Sequence, residues 1–370
     1  MTEAAEKRVS SAELYFDLVF VFAVTAVSAR LRTDHDGLGL LRALVAFVPV
    51  YWMWVGTAVR TNVLDVERPS TRLQVFAVGL SGLFMALALP SAYEDLGLVF
   101  AFAYWGGRSV IAVPVLRARR AWTPYLVSML FTGPLLVLGA LLDPDLQLVV
   151  WAAAAALDLS TPSLLRSRLR GMTYDASHLS ERFGLFVLIA LGESVVAIGL
   201  GAQEHLTVAA GFAVVAAFAL STGLWWVYFH YAADAVRHAL ATAEVQLDIT
   251  RLVLSYGHLS FIASIVCVAV GLHESVAHPT HHLEVSGAGF LVGGTALYLA
   301  TFGYTRWMMF HQVSSTRLVA AGVTLLVLPL AHVVPAVASL AVLAVIVAVL
   351  NLEEWRRVER PRLSAPGGFA

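Results

Sequence analysis

Residues 184–201 read GLFVLIALGESVVAIGLG. An α-helix needs about 20 mainly apolar residues to cross the hydrocarbon core of a bilayer, and this run supplies them with one interruption. Glu193 stands near its middle, where an ionised carboxylate facing lipid is expensive. The run decides the fold class because it recurs along the chain. Apolar windows of spanning length fall near 14–32, 38–59, 72–92, 96–116, 122–142, 146–165, 182–202, 207–231, 250–272, 284–308, 317–333 and 335–352. The chain therefore reads as an all-α integral membrane protein of about twelve transmembrane helices, since open sheets cannot satisfy their backbone in lipid. The last two windows are joined only by the VVPAV around Pro335.

Composition agrees. Of 370 residues, 59% are hydrophobic and 13% charged, whereas soluble domains carry about 25% charged residues. A net charge of −1 with no long basic run points to no nucleic-acid partner. Membrane lipids are the partners implied by such a surface. The single cysteine, Cys267, excludes an internal disulfide. Lys7 is the only lysine and precedes the first window, which excludes a catalytic or Schiff-base lysine inside the membrane. AVSA at 26–29 imitates a signal-cleavage site, but Glu3, Glu6, Glu13 and Asp17 make the preceding stretch too acidic for one. This segment is read as a retained first helix.

Charge also orients the spans. With both termini in the cytoplasm, all 24 Lys and Arg fall on inner segments except Arg30, Arg32 and Arg42 in outer loops and Arg108 within a span. That asymmetry is the one expected of an inner-membrane protein. ELYFDLVFVFAVTAVSA from Glu13 aligns with ERFGLFVLIALGESVVA from Glu181, and Trp54 and Asn62 then fall opposite Trp226 and Asp234. Two parallel six-helix repeats would produce this pattern, as would chance similarity between apolar runs. The corresponding division is a cytoplasmic segment 1–12, a half 13–165, a linker 166–180, a half 181–352 and a cytoplasmic tail 353–370.

Ionisable groups deep in a span should face the bundle interior and find partners. Glu193, Asp158, Arg108 and His258 are that deep, and Ser194 follows Glu193 directly. Pairing Arg108 with Glu193 or Asp158 leaves one acid to be protonated, which is what a proton-coupled carrier needs; a static network that fixes helix register is the other reading. A second set lies toward the cytoplasmic face: Asp17, Asn62, Asp65, His178, Glu181, His230 and Asp234. His178 and Glu181 share the i,i+3 spacing of helical metal ligands. Helix capping by Ser177 or Ser180, with Glu181 in the first turn, is preferred. HESVAHPTHH, 273–282, is histidine-rich, but its spacing matches no closed metal site. YWMWVG and LWWVYFHY are read as packing and anchoring aromatics. No nucleotide, haem or nucleophile-elbow motif is present, and no cofactor is expected.

ELYFDLVFVFAVTAVSARL, 13–31, and HLSERFGLFVLIALGESVVAIG, 178–199, resemble the two signatures of the bacterial low temperature requirement protein A family. RTNVLDVE, LDLSTP and LWWVYFHY agree more weakly. The resemblance covers about residues 10–260, and implies Glu13, Asp17, Asn62, Asp65, Asp158, His178, Glu181, Arg182, Gly192, Glu193 and Ser194 as the positions matching family motifs. It implies no reaction.

The expectation is a secondary transporter of an unknown small solute, coupled to protons or another cation and working by alternating access. Glu193 would carry the proton, Arg108 would be its counter-ion or an anion ligand, and Asp158 a second relay. Asp17, Asn62 and Asp65 would line the inner gate. Two rivals remain: an intramembrane enzyme acting on a lipid or isoprenoid, using His178, Glu181, His230 and Asp234, and a sensor or scaffold with structural buried charges.

Overall fold

A computed structural model of the chain describes residues 7–117, 123–204 and 207–363, and every regular element among them is helical. The helices are α1 (Ser11–Thr33), α2 (Gly37–Val63), α3 (Pro69–Ser91), α4 (Gly97–Arg117), α5 (Pro124–Gly139), α6 (Pro144–Leu164), α7 (Ala176–Glu204), α8 (Val208–Thr242), α9 (Gln246–Ala277), α10 (Val285–Phe310), α11 (Ser315–Ala331) and α12 (Ala336–Leu363). Among the described residues nine of these are long and apolar enough to cross a membrane: α1 to α4, α7 to α10 and α12. Of the twelve expected spans, nine thus meet the length and apolarity of a crossing. At 1.5 Å per residue, α5 and α11 fall short of a bilayer core, and α11 is broken by a turn at Leu326–Val327. α6 is long enough, but Gln147, Asp158, Ser160 and Thr161 dilute its apolar character. The readings that rest on Glu3, Glu6, Arg119, Arg120 and the tail beyond Leu363 lie outside the described residues.

Local chemistry sets the helix starts. Ser10 and Glu13 form a reciprocal capping box on α1. Asp36 caps α2, Asp143 caps α6 and Thr207 caps α8. α7 is capped by Asp175, whose Oδ1 accepts the His178 N–H at 2.9 Å. This corrects the assignment to Ser177 or Ser180; the Ser180 hydroxyl bonds back to the Ala176 carbonyl instead. Prolines occupy the first turns of α3, α5 and α6, where a missing N–H costs nothing. Four π-helical turns interrupt the ladders, at Ser128–Thr132, Tyr228–Ala232, Thr250–Gly257 and Gly289–Gly293. Such turns release backbone carbonyls and rotate side chains out of register.

Polarity is inverted relative to a soluble protein. Leu73, Phe76, Leu80, Phe84 and Leu87 form one exposed face of α3 at i, i+3/i+4 spacing, while Glu13, Asp17, Arg108, Asp158, Arg182 and Glu193 are at most 2% exposed. An apolar exterior over a charged interior is the arrangement lipid demands.

The chain divides into two compact units. The first comprises Met1–Ile189 and Val236–Leu259, the second Ala190–Ala235 and Ser260–Ala370. The boundaries therefore fall within α7, α8 and α9, a different division from the two six-helix halves.

In the first unit, helix ends collect at two poles. At one pole Arg30 near the end of α1 reaches Glu94, Arg42 near the start of α2 reaches Asp145, and Gln147 on α6 donates to the Ala92 carbonyl at 2.8 Å. At the other, Arg166 after α6 forms a bidentate pair with Asp248 at the start of α9, and Gln246 accepts the Tyr174 N–H.

In the second unit, α9 and α10 meet at Gly271. A Cβ there would lie 2.5 Å from the Leu291 Cβ and 2.7 Å from its N. Gly271→Ala must separate two backbones and should cost about 1–3 kcal/mol. Gly211→Ala on α8, with nothing within 4 Å, should be neutral or stabilising because alanine favours helix. Melting temperatures in detergent would show this contrast, and equal values for the two variants would contradict it.

Candidate functional site

Two polar centres lie in the first unit, and each is assembled by helix termini or π-helical turns. The first gathers the start of α1, the end of α2 and the start of α7. Arg182 Nη2 pairs with Asp17 Oδ1 at 2.7 Å, and Arg182 Nη1 lies 3.2 Å from Glu13 Oε1. Trp54 Nε1 donates to the same Asp17 oxygen at 2.8 Å, and the guanidinium sits 5.8 Å above the Trp54 ring. Phe186 stacks on Trp54 at 4.1 Å and Phe183 meets it edge-on at 4.9 Å. The aromatics of YWMWVG therefore do more than pack: Trp54 holds a carboxylate.

His178 completes this centre. Asn62 Oδ1 accepts the Asp175 N–H at 2.9 Å, which fixes the amide so that its Nδ2 faces His178 Nδ1 at 3.1 Å. A ring nitrogen that accepts carries no proton. The His178 proton therefore sits on Nε2, within 3.2–3.3 Å of the Glu13 carboxylate, and the ring is neutral in this arrangement. Two carboxylates thus face one guanidinium, with all four groups at 0% exposure. Lys7 closes the centre from outside: its Nζ donates to the carbonyls of Thr61, Asn62 and Leu64 at the end of α2.

The second centre gathers α4, α5 and α6. The π-helical turn Ser128–Thr132 brings two hydroxyls onto Asp158: Ser128 Oγ and Thr132 Oγ1 each lie 2.8 Å from Asp158 Oδ1, and Tyr104 donates to Oδ2. Arg108 does not reach Asp158 directly. Its Nη2 donates to Ser128 Oγ at 2.7 Å and its Nη1 to the Trp52 carbonyl at 3.3 Å, with the rings of Tyr104 and Tyr125 alongside. Gly56 makes room for this, because a Cβ there would collide with Arg108 Nη1.

The remaining candidates are placed as follows. Glu193 and Ser194 are buried on α7 in the part belonging to the second unit. His258, 1% exposed, donates from Nδ1 to the Val253 carbonyl within the π-helical turn at 3.0 Å, and meets Phe183 edge-on. Asp65 is an exposed turn residue that accepts the Glu67 N–H and pairs with Arg68, so it does not join Asp17 and Asn62. Glu181 is exposed on α7 while its neighbour Arg182 turns inward. His230 lies tilted against Trp226, ring centroids 4.9 Å apart, within the second unit, and Asp234 is exposed there. In the histidine-rich loop the carbonyls of His281 and Pro279 accept the N–H groups of Ala336 and Val337 at the start of α12. Among the described residues no three His, Cys, Asp or Glu side chains are grouped to hold a metal ion.

As site residues, Glu13 and Arg182 follow from the sequence only through the family resemblance. Their spacings from Asp17 and His178, each i,i+4, were the available signal. Arg317 and Glu354 in the second unit escaped it altogether. They form a bidentate pair at 2.6 and 2.9 Å.

The model of the bacterial low temperature requirement A protein (LtrA) family matches residues 8–352, nearly the whole chain. The chain belongs to the LtrA family. It is also similar to an uncharacterized protein of Rhizobium meliloti (strain 1021), at 31% identity over 97% of this chain and 92% of that one. No solved structure matches it. In this LtrA chain, Glu13, Asp17, His178 and Arg182 come from the two stretches on which the resemblance rested, and the fold brings them into one buried centre.

Proposed function

We propose that this LtrA chain is a proton-coupled secondary transporter of a small solute in the bacterial inner membrane, crossing it twelve times with both termini in the cytoplasm. The observation that carries this reading is the unequal charge of the first centre: Glu13 and Asp17 against Arg182, with His178 neutral. With Lys7 at its rim offset by Asp175, such a centre holds one negative charge in excess in surroundings that penalise it. Binding one proton removes the excess, and releasing it restores the strain. Arg182 touches both acids, so protonation of one lets the guanidinium settle on the other. Glu193, buried on a spanning helix, is the second proton station in this scheme.

Support for the topology is that the pole holding the ends of α2 and α6 and the starts of α1, α7 and α9 carries Lys7, Arg60, Arg166, Arg168 and Arg170. That is the positive face placed in the cytoplasm. The enzyme reading loses support because Glu181 faces outward while both ring nitrogens of His178 are engaged.

The test is proton movement into proteoliposomes, followed with an internal pH dye while gradients of organic anions, amino acids and sugars are imposed. Asp17→Asn keeps the oxygen that accepts from Trp54 but cannot titrate. It should lower solute-driven proton flux at least tenfold, and Glu193→Gln should do the same. Wild-type flux in both folded variants would end this reading.

A further inference from the structure

A cavity of about 160 Å³ lies beside Arg108 in the first unit, walled by α2, α4, the start of α5, the end of α6, the segment after it and the start of α9. Trp52, Val59 and Met172 represent its mostly apolar wall. Arg60, Arg108 and Arg251 line it, and among the described residues no Asp or Glu does. The nearest acids are already engaged. Asp158 accepts from three hydroxyls, and Asp248 pairs with Arg166 and Arg251.

Four buried polar atoms of the lining have no hydrogen-bond partner: Arg108 Nε, Arg251 Nε, Thr250 Oγ1 and Thr123 Oγ1. Arg108 is 1% exposed and Thr250 3%. Buried donors are normally satisfied, and these four belong to residues that line one void. A guanidinium in a membrane bundle without a direct counter-ion is especially costly. A carboxylate answers both needs, because it accepts several hydrogen bonds and carries the opposite charge. The apolar wall demands a hydrophobic body on the same molecule. The void matches in size a cavity of about 150 Å³ that holds one benzene ring.

We infer that this cavity binds a small organic anion, a carboxylate on a single-ring or short acyl body, with Arg108 and Arg251 as its anion ligands. The inference deepens the transport reading by giving its substrate class, and rests on that reading only for the word substrate. Binding itself is independent of proton flux.

The test uses the full-length protein in detergent and equilibrium dialysis with labelled benzoate, with empty micelles as background. Benzamide has the same shape without the charge, and inorganic phosphate has charge without the apolar body. Benzoate should bind at least tenfold more tightly than either. Arg108→Gln should weaken benzoate at least tenfold and leave benzamide unchanged. Arg251→Gln, which leaves Asp248 its pair with Arg166, should weaken benzoate severalfold and keeps the test open if Arg108→Gln does not fold. Equal binding of benzamide, equal binding of phosphate, or unchanged benzoate affinity in the folded variants would each overturn the assignment. Failure of benzoate to bind while Asp17→Asn still abolishes proton flux would remove this site and leave the transport reading standing.

Discussion

Arg182→Gln should destabilise the protein by about 3–5 kcal/mol, the usual cost of removing one partner from a buried ion cluster. The variant leaves Glu13 and Asp17, both at 0% exposure, with no cation between them. It also takes a guanidinium from the face of Trp54. Such a loss is a large part of the stability of an ordinary domain, so little folded protein should accumulate in the membrane. The triple variant Arg182→Gln, Glu13→Gln, Asp17→Asn removes the stranded charges and should recover most of the melting temperature. It should recover none of the proton flux, because no titrating carboxylate is left at the centre. An unchanged melting temperature in Arg182→Gln alone would mean that water or lipid headgroups reach the site and that its charge count is not confined.

The separation of stability from flux in that triple variant follows from how the centre is built, and only part of its construction was legible in the sequence. Helical class, membrane location and inward-facing charges were readable because they follow from run length and from the cost of charge in lipid. Asp17, Asn62 and His178 could be placed at one pole from helix direction alone. Exposure could not be read so well: Glu181 and Arg182 are adjacent, and only rotation of α7 decides which one enters the bundle. The Asp175 cap sets where α7 starts, and the pairing of Arg182 with Asp17 and Glu13 holds that rotation.

Span count was least legible where π-helical turns, short helices and polar insertions break the simple rule of length. The turn at Ser128–Thr132 lies inside the short helix α5, and this same turn delivers Ser128 and Thr132 to Asp158. Pairings between elements distant in sequence, such as Arg166 with Asp248, need the fold itself.

The pair Arg317–Glu354 in the second unit should behave in the opposite way to the Arg182 centre. It is balanced, one cation against one anion, with two parallel hydrogen bonds at 2.6 and 2.9 Å, and the guanidinium lies 4.5 Å over the Phe302 ring. Arg317→Leu alone strands Glu354 and should cost about 3 kcal/mol, toward the lower end of the range for buried pairs because both side chains keep about a tenth of their surface exposed. Adding Glu354→Leu removes the stranded charge and replaces the pair by apolar groups. Such replacements are often neutral or stabilising, so the double variant should melt near the wild-type temperature. Proton flux should persist, since a balanced pair offers no excess charge for a proton to neutralise. A double-mutant cycle on melting temperature, read beside flux in the same preparations, checks both halves of this expectation. If the double variant folds but carries no protons, coupling depends on Arg317 and Glu354 as well, and the charge excess at Glu13 and Asp17 is insufficient to account for it.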